Sequence, residues 1–468
     1  MYLLLWRLCI RIRFYMRDIM NLRRSAMNVS NYQILQRNDQ GFAIARMSGK
    51  LPEQMKEGDK IFVCAYQEES NFLICPWQEA EVEQDAWKGQ IQLPEGGLYR
   101  LEACWQVDGM RCDWADRISC VRHVGVGDLY MITGQSNMAG YGRDTAYDPP
   151  CLGVHLYGNN GKWDIAAHPL NDSVDTIYPE NAETMTGTSP VLSFARRLKQ
   201  ELGIPIGLIQ TSMGSSPLSM WHPEEDGRLY RGMLRRLDVV GRVKGVLWYQ
   251  GCAESMDEKA VTYLARFSRM VELWREKLGD VPFLTVQLNR RALNVEGKGT
   301  EAWAIVKEAQ RQAARVLPQV YVVPSHDVPQ SDGCHNSSTG NVIIGERLAR
   351  TALTAIYGRA GQLAPDVERV EYVDATHVRV IINHSFEMSC TESCGDGRVE
   401  DFQVEDALGM AEVIFAQGGP GEFFLTLDRD ISLPAKFHAL CNRRLSSTIP
   451  HDVFGMPMLG CYGVEIEH

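Results

Sequence analysis

The rhythm of apolar and polar positions changes twice along this chain. Between residues 28 and 125 the apolar residues come in short runs, IFVCAY, FLICPW, GQIQLP and YRLEACWQV, rich in β-branched and aromatic side chains. Clusters of Gly, Pro, Asp and Glu separate them at roughly the 8–12-residue spacing of an all-β unit, which predicts a β-sandwich-like domain. From 126 to 360 the pattern alternates. Buried-strand runs begin with VGDLYMITG, whose Val126, Leu129, Met131 and Ile132 are apolar. They continue as IPIGLIQTS (204–212), VKGVLWYQ (243–250), VPFLTVQL (281–288) and QVYVVPS (319–325). Between them lie helical periodicities. One is capped by Ser189 with Pro190 at its first position and places Val191, Phe194, Ala195, Leu198 and Leu202 on one face. Others cover about 258–278, 301–316 and 339–357. Strand–helix alternation of this kind predicts an α/β unit, a parallel sheet with helices on both faces. Residues 361–468 return to strands (VERVEYV, HVRVIIN, AEVIFAQ, EFFLTL, GVEIEH) and read as a second β domain of sandwich type.

In an open parallel sheet, ligands bind outside the carboxyl ends of the strands. Gly134-Gln135-Ser136-Asn137 follows the first strand and Thr211-Ser212-Met213-Gly214-Ser215-Ser216 the second. Trp248-Tyr249-Gln250-Gly251 follows the third, and His326-Asp327 then Asp332-Gly333-Cys334-His335 a later one. Acyl transfer fits this set. Ser136 is a weak nucleophile that needs a base. His335 supplies one near neutrality, and Asp332, three residues before it, is spaced to hold its Nδ1–H. Gly214 offers a backbone N–H and Gln250 a side-chain NH₂ to an oxyanion, where a single donor is worth about 3 kcal/mol. Each residue also has a plain reading: Ser136, Gly214 and Asp332-Gly333 as turn residues, Gln250 as a backbone partner, His335 as a surface-loop histidine. Asp327 is a rival acid that faces His326 more naturally. The joint arrangement at four strand ends favours the chemical reading.

Composition narrows the partners. At ~150 residues per domain, 468 residues suggest about three domains. The net charge of −11 argues against a nucleic-acid groove and against a polybasic membrane surface. Thirteen cysteines are scattered without paired zinc spacing; Cys390 and Cys394 form a lone C-x-x-x-C, so no metal is expected. Cys64, Cys75 and Cys104 sit in strand-like runs and read as small buried hydrophobes in a reducing compartment; with neither a convincing signal nor a spanning helix in the sequence, a cytoplasmic protein is expected. Residues 1–27 are basic and apolar by turns. Arg7, Arg11 and Arg13 break their apolar run too early for a membrane span. They lack the order of a secretory signal, and read as a poorly ordered extension or a start placed before a true one near Met20 or Met27.

GQSNMAG (134–140), Gly214 to Trp221, WYQG (248–251) and D-x-x-H (332–335) before G-x-R-L-A resemble the SGNH-hydrolase superfamily. Within it the chain resembles the sialate O-acetylesterase and acetylxylan esterase group of carbohydrate esterases. The motifs span roughly 126–350. The resemblance implies a flavodoxin-like sheet flanked by β-sandwich accessory domains, and hydrolysis of O-acetyl groups on a sugar such as sialic acid or xylan through an acetyl-serine intermediate. It implies Ser136 as nucleophile and Asp332 and His335 as acid and base. The Ser136 N–H, Gly214 and Gln250 are the implied oxyanion donors. Gln135, Asn137, Ser215 and Trp221 become candidate substrate contacts, with Trp221 and Tyr249 suited to a sugar platform. No metal or organic cofactor is expected. Three positions depart from the pattern. Cys252 stands where glutamate usually follows WYQG, with Glu254 two residues on; Asn336 replaces a common proline; and Met213-Gly214 replaces a Gly-Gly pair. Cys252 motivates an alternative, a carbohydrate-binding protein with a decayed centre. A lipase or thioesterase of the same superfamily is a third reading, and would want an apolar acyl channel.

Overall fold

The computed structural model describes residues 28–468 except 54, 108–109, 112–116, 257, 292–299, 384–398 and 442–448. The expected N-terminal extension and the Cys390/Cys394 pair lie outside the described residues.

One 18-residue strand, Arg117–Gly134, organises the chain. Its first half pairs antiparallel with Gly96–Val107. Its second half is flanked in parallel by Ile206–Gln210 and Gly245–Tyr249. The N-terminal β region and the α/β core therefore share one twelve-stranded sheet, and the division expected between 125 and 126 falls inside a single strand. Leu129, Tyr130, Met131 and Ile132 are completely buried, as a strand covered on both faces requires. Each such aliphatic side chain contributes about 1.5–3 kcal/mol by leaving water. Asp128, 1 % exposed, is the exception in this run. Arg37 meets it through two nitrogens at 3.0 and 2.8 Å, and Gln36 and Tyr357 add hydrogen bonds at 2.9 and 2.8 Å. A buried carboxylate needs this many partners to be tolerated.

Across the core sheet the order is Trp163–Ile165, Val154–Tyr157, Ile206–Gln210, Arg117–Gly134, Gly245–Tyr249, Phe283–Val286, Val320–Val323. Every neighbouring pair is parallel except the Trp163–Ile165 edge. The last five follow the 2-1-3-4-5 order of a flavodoxin-like sheet. The two strands beyond them are additions, too short for periodicity to reveal. Helix Val191–Leu202 lies against helix Ser338–Ala355, where a Cβ on Gly345 would come within 2.2 Å of Pro190 O. The first of these helices starts one residue later than expected, with Pro190 flanking it. Ser189 donates its hydroxyl to Met138 O at 2.8 Å, tying the helix start to the turn after the central strand. The helix expected from 258 begins as a 3₁₀ turn and becomes α-helical at Tyr263–Leu278.

The N-terminal region is a sandwich. The sheet of Phe42–Lys50, Ala86–Pro94 and Glu81–Glu83 covers the sheet containing Lys60–Gln67 and Gly96–Val107, with Met47, Val63, Trp87, Ile91 and Leu101 buried between them. Cys64, Cys75 and Cys104 are buried. The C-terminal region corrects the expected sandwich type: its seven strands form a closed barrel. Its last strand, Cys461–Glu467, pairs in parallel with its first, Val367–Asp374, through Val370↔Ile466. Closure leaves no unpaired edge among the described strands of this region. The barrel is bound to the core by Asp366, which receives Arg311 at 3.0 Å and Arg315 at 2.6 Å, and by reciprocal 2.8 Å bonds between the Gln287 amide and Gly460. Among the described residues no helix is long and apolar enough to cross a membrane.

Gly134 ends the central strand with φ +122°, and a Cβ there would lie 2.3 Å from Tyr249 O. Gly134→Ala is therefore expected to lose at least ~1–3 kcal/mol of stability, read by denaturant titration. An unchanged midpoint would show that this turn tolerates a side chain.

Candidate active site

The turn after the central strand is built by its neighbour. Gln135 N donates to Tyr249 O at 2.9 Å, and Gln135 Oε1 accepts from Gly251 N at 3.0 Å and Ala253 N at 3.3 Å. Two strand ends are thereby fastened together. Ser136–Ala139 forms a single helical turn. The first N–H groups of such a turn have no intrahelical acceptor, so the Ser136 N–H heads it.

His335 arrives on a loop closed by a Gln330–Asn336 bridge and a bond from Ser331 N to His335 O. The D-x-x-H spacing works because one carboxylate does two jobs. Asp332 Oδ1 accepts the backbone N–H of Cys334 at 2.9 Å and of His335 at 2.8 Å, which sets the turn. Its Oδ2 lies 2.7 Å from His335 Nδ1. Partial burial pushes the Asp332 carboxyl up. The bonds from Cys334 N–H, the His335 ring and His335 N–H act the other way and win, leaving it below its ordinary range. With Nδ1–H donating to Asp332, His335 Nε2 is left to accept, and it stands 2.9 Å from Ser136 Oγ. The loop is anchored beyond: Ser337 caps helix Ser338–Ala355, its Oγ accepting Gly340 N at 3.0 Å.

Ser136 and His335 are 199 residues apart, and a buried amide holds them together. Asn137, wholly inaccessible, donates to Cys334 O at 3.1 Å and accepts Asn336 N at 3.0 Å. Asn289 reinforces the bridge through Cys334 O at 3.0 Å and Asn336 Oδ1 at 2.7 Å. Asn336 then donates to Tyr249 Oη at 3.2 Å and Asn341 Oδ1 at 3.1 Å. Asn336 thus has work a proline cannot do.

The expected oxyanion donors sit at neighbouring strand ends, and both already have acceptors. Gly214 N donates to Glu183 Oε2 at 2.9 Å. Gln250 Nε2 donates to Glu254 Oε2 and, at 3.3 Å, to Ser216 O. Glu254 also accepts Leu218 N at 2.5 Å. Burial pushes the Glu254 carboxyl up, against those hydrogen bonds from Gln250 and Leu218. Glu254 therefore orients Gln250 from two positions further along the chain than the usual glutamate. Cys252 beside it is half-buried, and burial pushes its thiol well up, which suits a structural sulfur.

Three candidate substrate contacts are corrected. Gln135 is 4 % exposed and its oxygen is occupied by backbone N–H groups. Asn137 is the bridge just described. Trp221 is completely buried, bonded to Ser216 Oγ and set against Trp248 and Trp274, so it is core and no sugar platform. Tyr249 is equally inaccessible. Ser215 alone of the four is exposed, at φ +54°. Asp327, the rival acid, pairs with Arg347 at 2.5 Å.

Tyr141 and Glu183 were missed. The Tyr141 ring stacks on the imidazole of His335 at 4.7 Å and 28°, and its hydroxyl donates to Glu183 Oε1 at 2.5 Å. Tyr141 follows directly on GQSNMAG, and its position was the available signal. Glu183 lies in a stretch without periodicity, where sequence carries none. Asp332, Cys334 and His335 present ligand atoms within 4.8 Å of one another. Both Asp332 oxygens are already engaged by the turn and the imidazole, a set that fits proton transfer better than metal ligation. A hydroxyl, an accepting imidazole and a carboxylate in series suit acyl transfer: the imidazole takes the hydroxyl proton and the carboxylate stabilises the imidazolium.

Residues 126–354 match the family described as carbohydrate esterase, sialic acid-specific acetylesterase. A probable carbohydrate esterase of Arabidopsis thaliana is 26 % identical over 252 residues, 48 % of this chain and 90 % of that one. The crystal structure of a carbohydrate acetylesterase from Xanthomonas citri shares the fold, with a TM-score of 0.64 at 21 % identity over 92 % of this chain and 97 % of that one.

Asn137→Ala leaves the buried Asn336 N–H without its acceptor, which is expected to cost about 1–3 kcal/mol. A shift of about 1 Å between Ser136 and His335 lowers reactivity on the order of 100-fold. The rate at which a fluorophosphonate labels Ser136 reads this directly, and an unchanged rate in the variant would sink the bridging role.

Proposed function

We propose that this chain, a carbohydrate esterase of the sialic acid-specific acetylesterase family through residues 126–354, removes O-acetyl groups from a sugar by way of an acetyl-serine intermediate. The observation that carries the reading is the series Ser136 Oγ, His335 Nε2 at 2.9 Å, and His335 Nδ1 to Asp332 at 2.7 Å. Ser136 Oγ attacks the acetyl carbonyl as His335 takes its proton. The tetrahedral oxyanion draws on the Ser136 N–H, and on the Gly214 N–H and Gln250 amide once these turn from Glu183 and Ser216 O. His335 then returns the proton to the departing sugar oxygen, and water, deprotonated by the same imidazole, releases acetate.

Two features weigh against the other readings. The decayed-centre alternative rested on Cys252, and the Glu254 carboxylate on Gln250 supports a maintained centre instead. A lipase or thioesterase wants apolar surroundings, whereas the Tyr141 hydroxyl and Glu183, with Asn171 behind it, make the surroundings of His335 polar.

Purified protein is expected to release acetate from aryl acetates and acetylated sugars. Ser136→Ala should lower kcat by about 10⁴-fold or more with nearly unchanged melting, and Asp332→Asn by about 10⁴-fold through the wrong imidazole tautomer. Enzymatic acetate determination beside thermal melting separates the two effects. Folded wild-type protein releasing no acetate from any ester would refute the reading.

A further inference from the structure

Glu183 is the group in this cleft that ester hydrolysis does not call for. Its carboxylate accepts Tyr141 Oη–H at 2.5 Å, Asn171 Nδ2 at 2.8 Å and Gly214 N at 2.9 Å. Those donors fix it between the ring stacked on His335 and an expected oxyanion donor. A Cβ on Gly214 would lie 1.8 Å from Glu183 Oε1, so only glycine admits the carboxylate this close. Burial, and then Glu183 itself, raise the Tyr141 hydroxyl well above its ordinary range, so Tyr141 stays a neutral donor. Among the described residues no cation pairs with Glu183. Arg143 lies exposed, 5.5 Å over the Tyr141 ring, and the buried Arg291, 5.9 Å from the Trp303 ring, sends its field toward the Cys334 and Cys252 thiols, with neither guanidinium bonded to Glu183. Asp332 and Asp144 add further negative charge on the loops around His335.

We propose that Glu183 is the specificity-determining residue of this site, admitting acetylated sugars that carry no charge near the ester and disfavouring acidic ones, sialic acids included. The inference rests on the esterase reading and narrows it, against the substrate named in the family's description. When Gly214 N–H turns to the oxyanion, Glu183 Oε2 gains a free lone pair. A sugar hydroxyl donates to it, whereas a substrate carboxylate has no proton to give and meets a like charge. At an effective dielectric of about 20, such a repulsion over several ångströms amounts to tenfold or more in relative kcat/KM.

The test compares 4-nitrophenyl acetate, an acetylated xyloside and 9-O-acetyl sialic acid as substrates. Wild-type protein is expected to prefer the xyloside over the sialic acid by at least about tenfold in kcat/KM. Glu183→Gln should shrink that preference by a similar factor. For wild-type protein, raising salt from about 20 mM to about 500 mM should shrink it severalfold, a measurement that needs no variant to fold. A wild-type preference for the acetylated sialic acid, or a ratio that neither the variant nor salt moves, overturns the role of Glu183 while leaving the esterase standing. No hydrolysis of any ester, 4-nitrophenyl acetate included, overturns the esterase reading and this inference with it.

Discussion

The site depends on one buried amide. Asn137 bonds to Cys334 O and Asn336 N, and so fixes the serine turn to the histidine loop across 199 residues of chain. A proton relay needs its heavy atoms within about 3 Å, and two loops on separate strand ends have no covalent reason to hold that distance. A side chain with one donor and one acceptor oriented oppositely locks both loops at once. Being inaccessible to water, it loses both bonds if either loop moves.

The same device recurs outward. Asn289 and Asn336 extend the bridge to Tyr249, at the end of the neighbouring strand. Gln135 ties the serine turn to Gly251 and Ala253, and Glu254 ties Gln250 to Leu218. The site is a shell of buried amides and carboxylates on a largely apolar sheet. Its precision comes from the strands, which carry Gly134 and Tyr249 in register. Its electrostatics come from acids: Asp332 on the imidazole, Glu183 on the glycine N–H and Glu254 on the glutamine.

The accessory β regions are joined to this core in different ways. The N-terminal sandwich is continuous with it through the strand Arg117–Gly134. The barrel is a closed unit held by Asp366 between Arg311 and Arg315 and by Gln287. A shared strand leaves no hinge, whereas a barrel with every edge paired meets the core only through its surface groups.

What the sequence by itself determined follows from local physics. Five short runs rich in buried apolar residues, alternating with amphipathic stretches, specify a parallel sheet, because runs of this length buried on both faces suit strands covered by helices. The D-x-x-H turn was legible because three residues bring a carboxylate back onto an imidazole. Ser136 was legible as a strand-end residue, and His335 through the loop that follows a later strand. The tertiary structure alone decided which polar side chains face the cleft. Trp221 and Tyr249 have the chemistry of a sugar platform but lie in the core, and Asn137 and Gln135 spend their hydrogen bonds on backbone. Closure of the barrel was equally out of reach, since it depends on Val370 meeting Ile466 across the whole domain. Glu183 was invisible for the same reason. Its meaning lies in Tyr141 and Gly214, which only the fold brings to it.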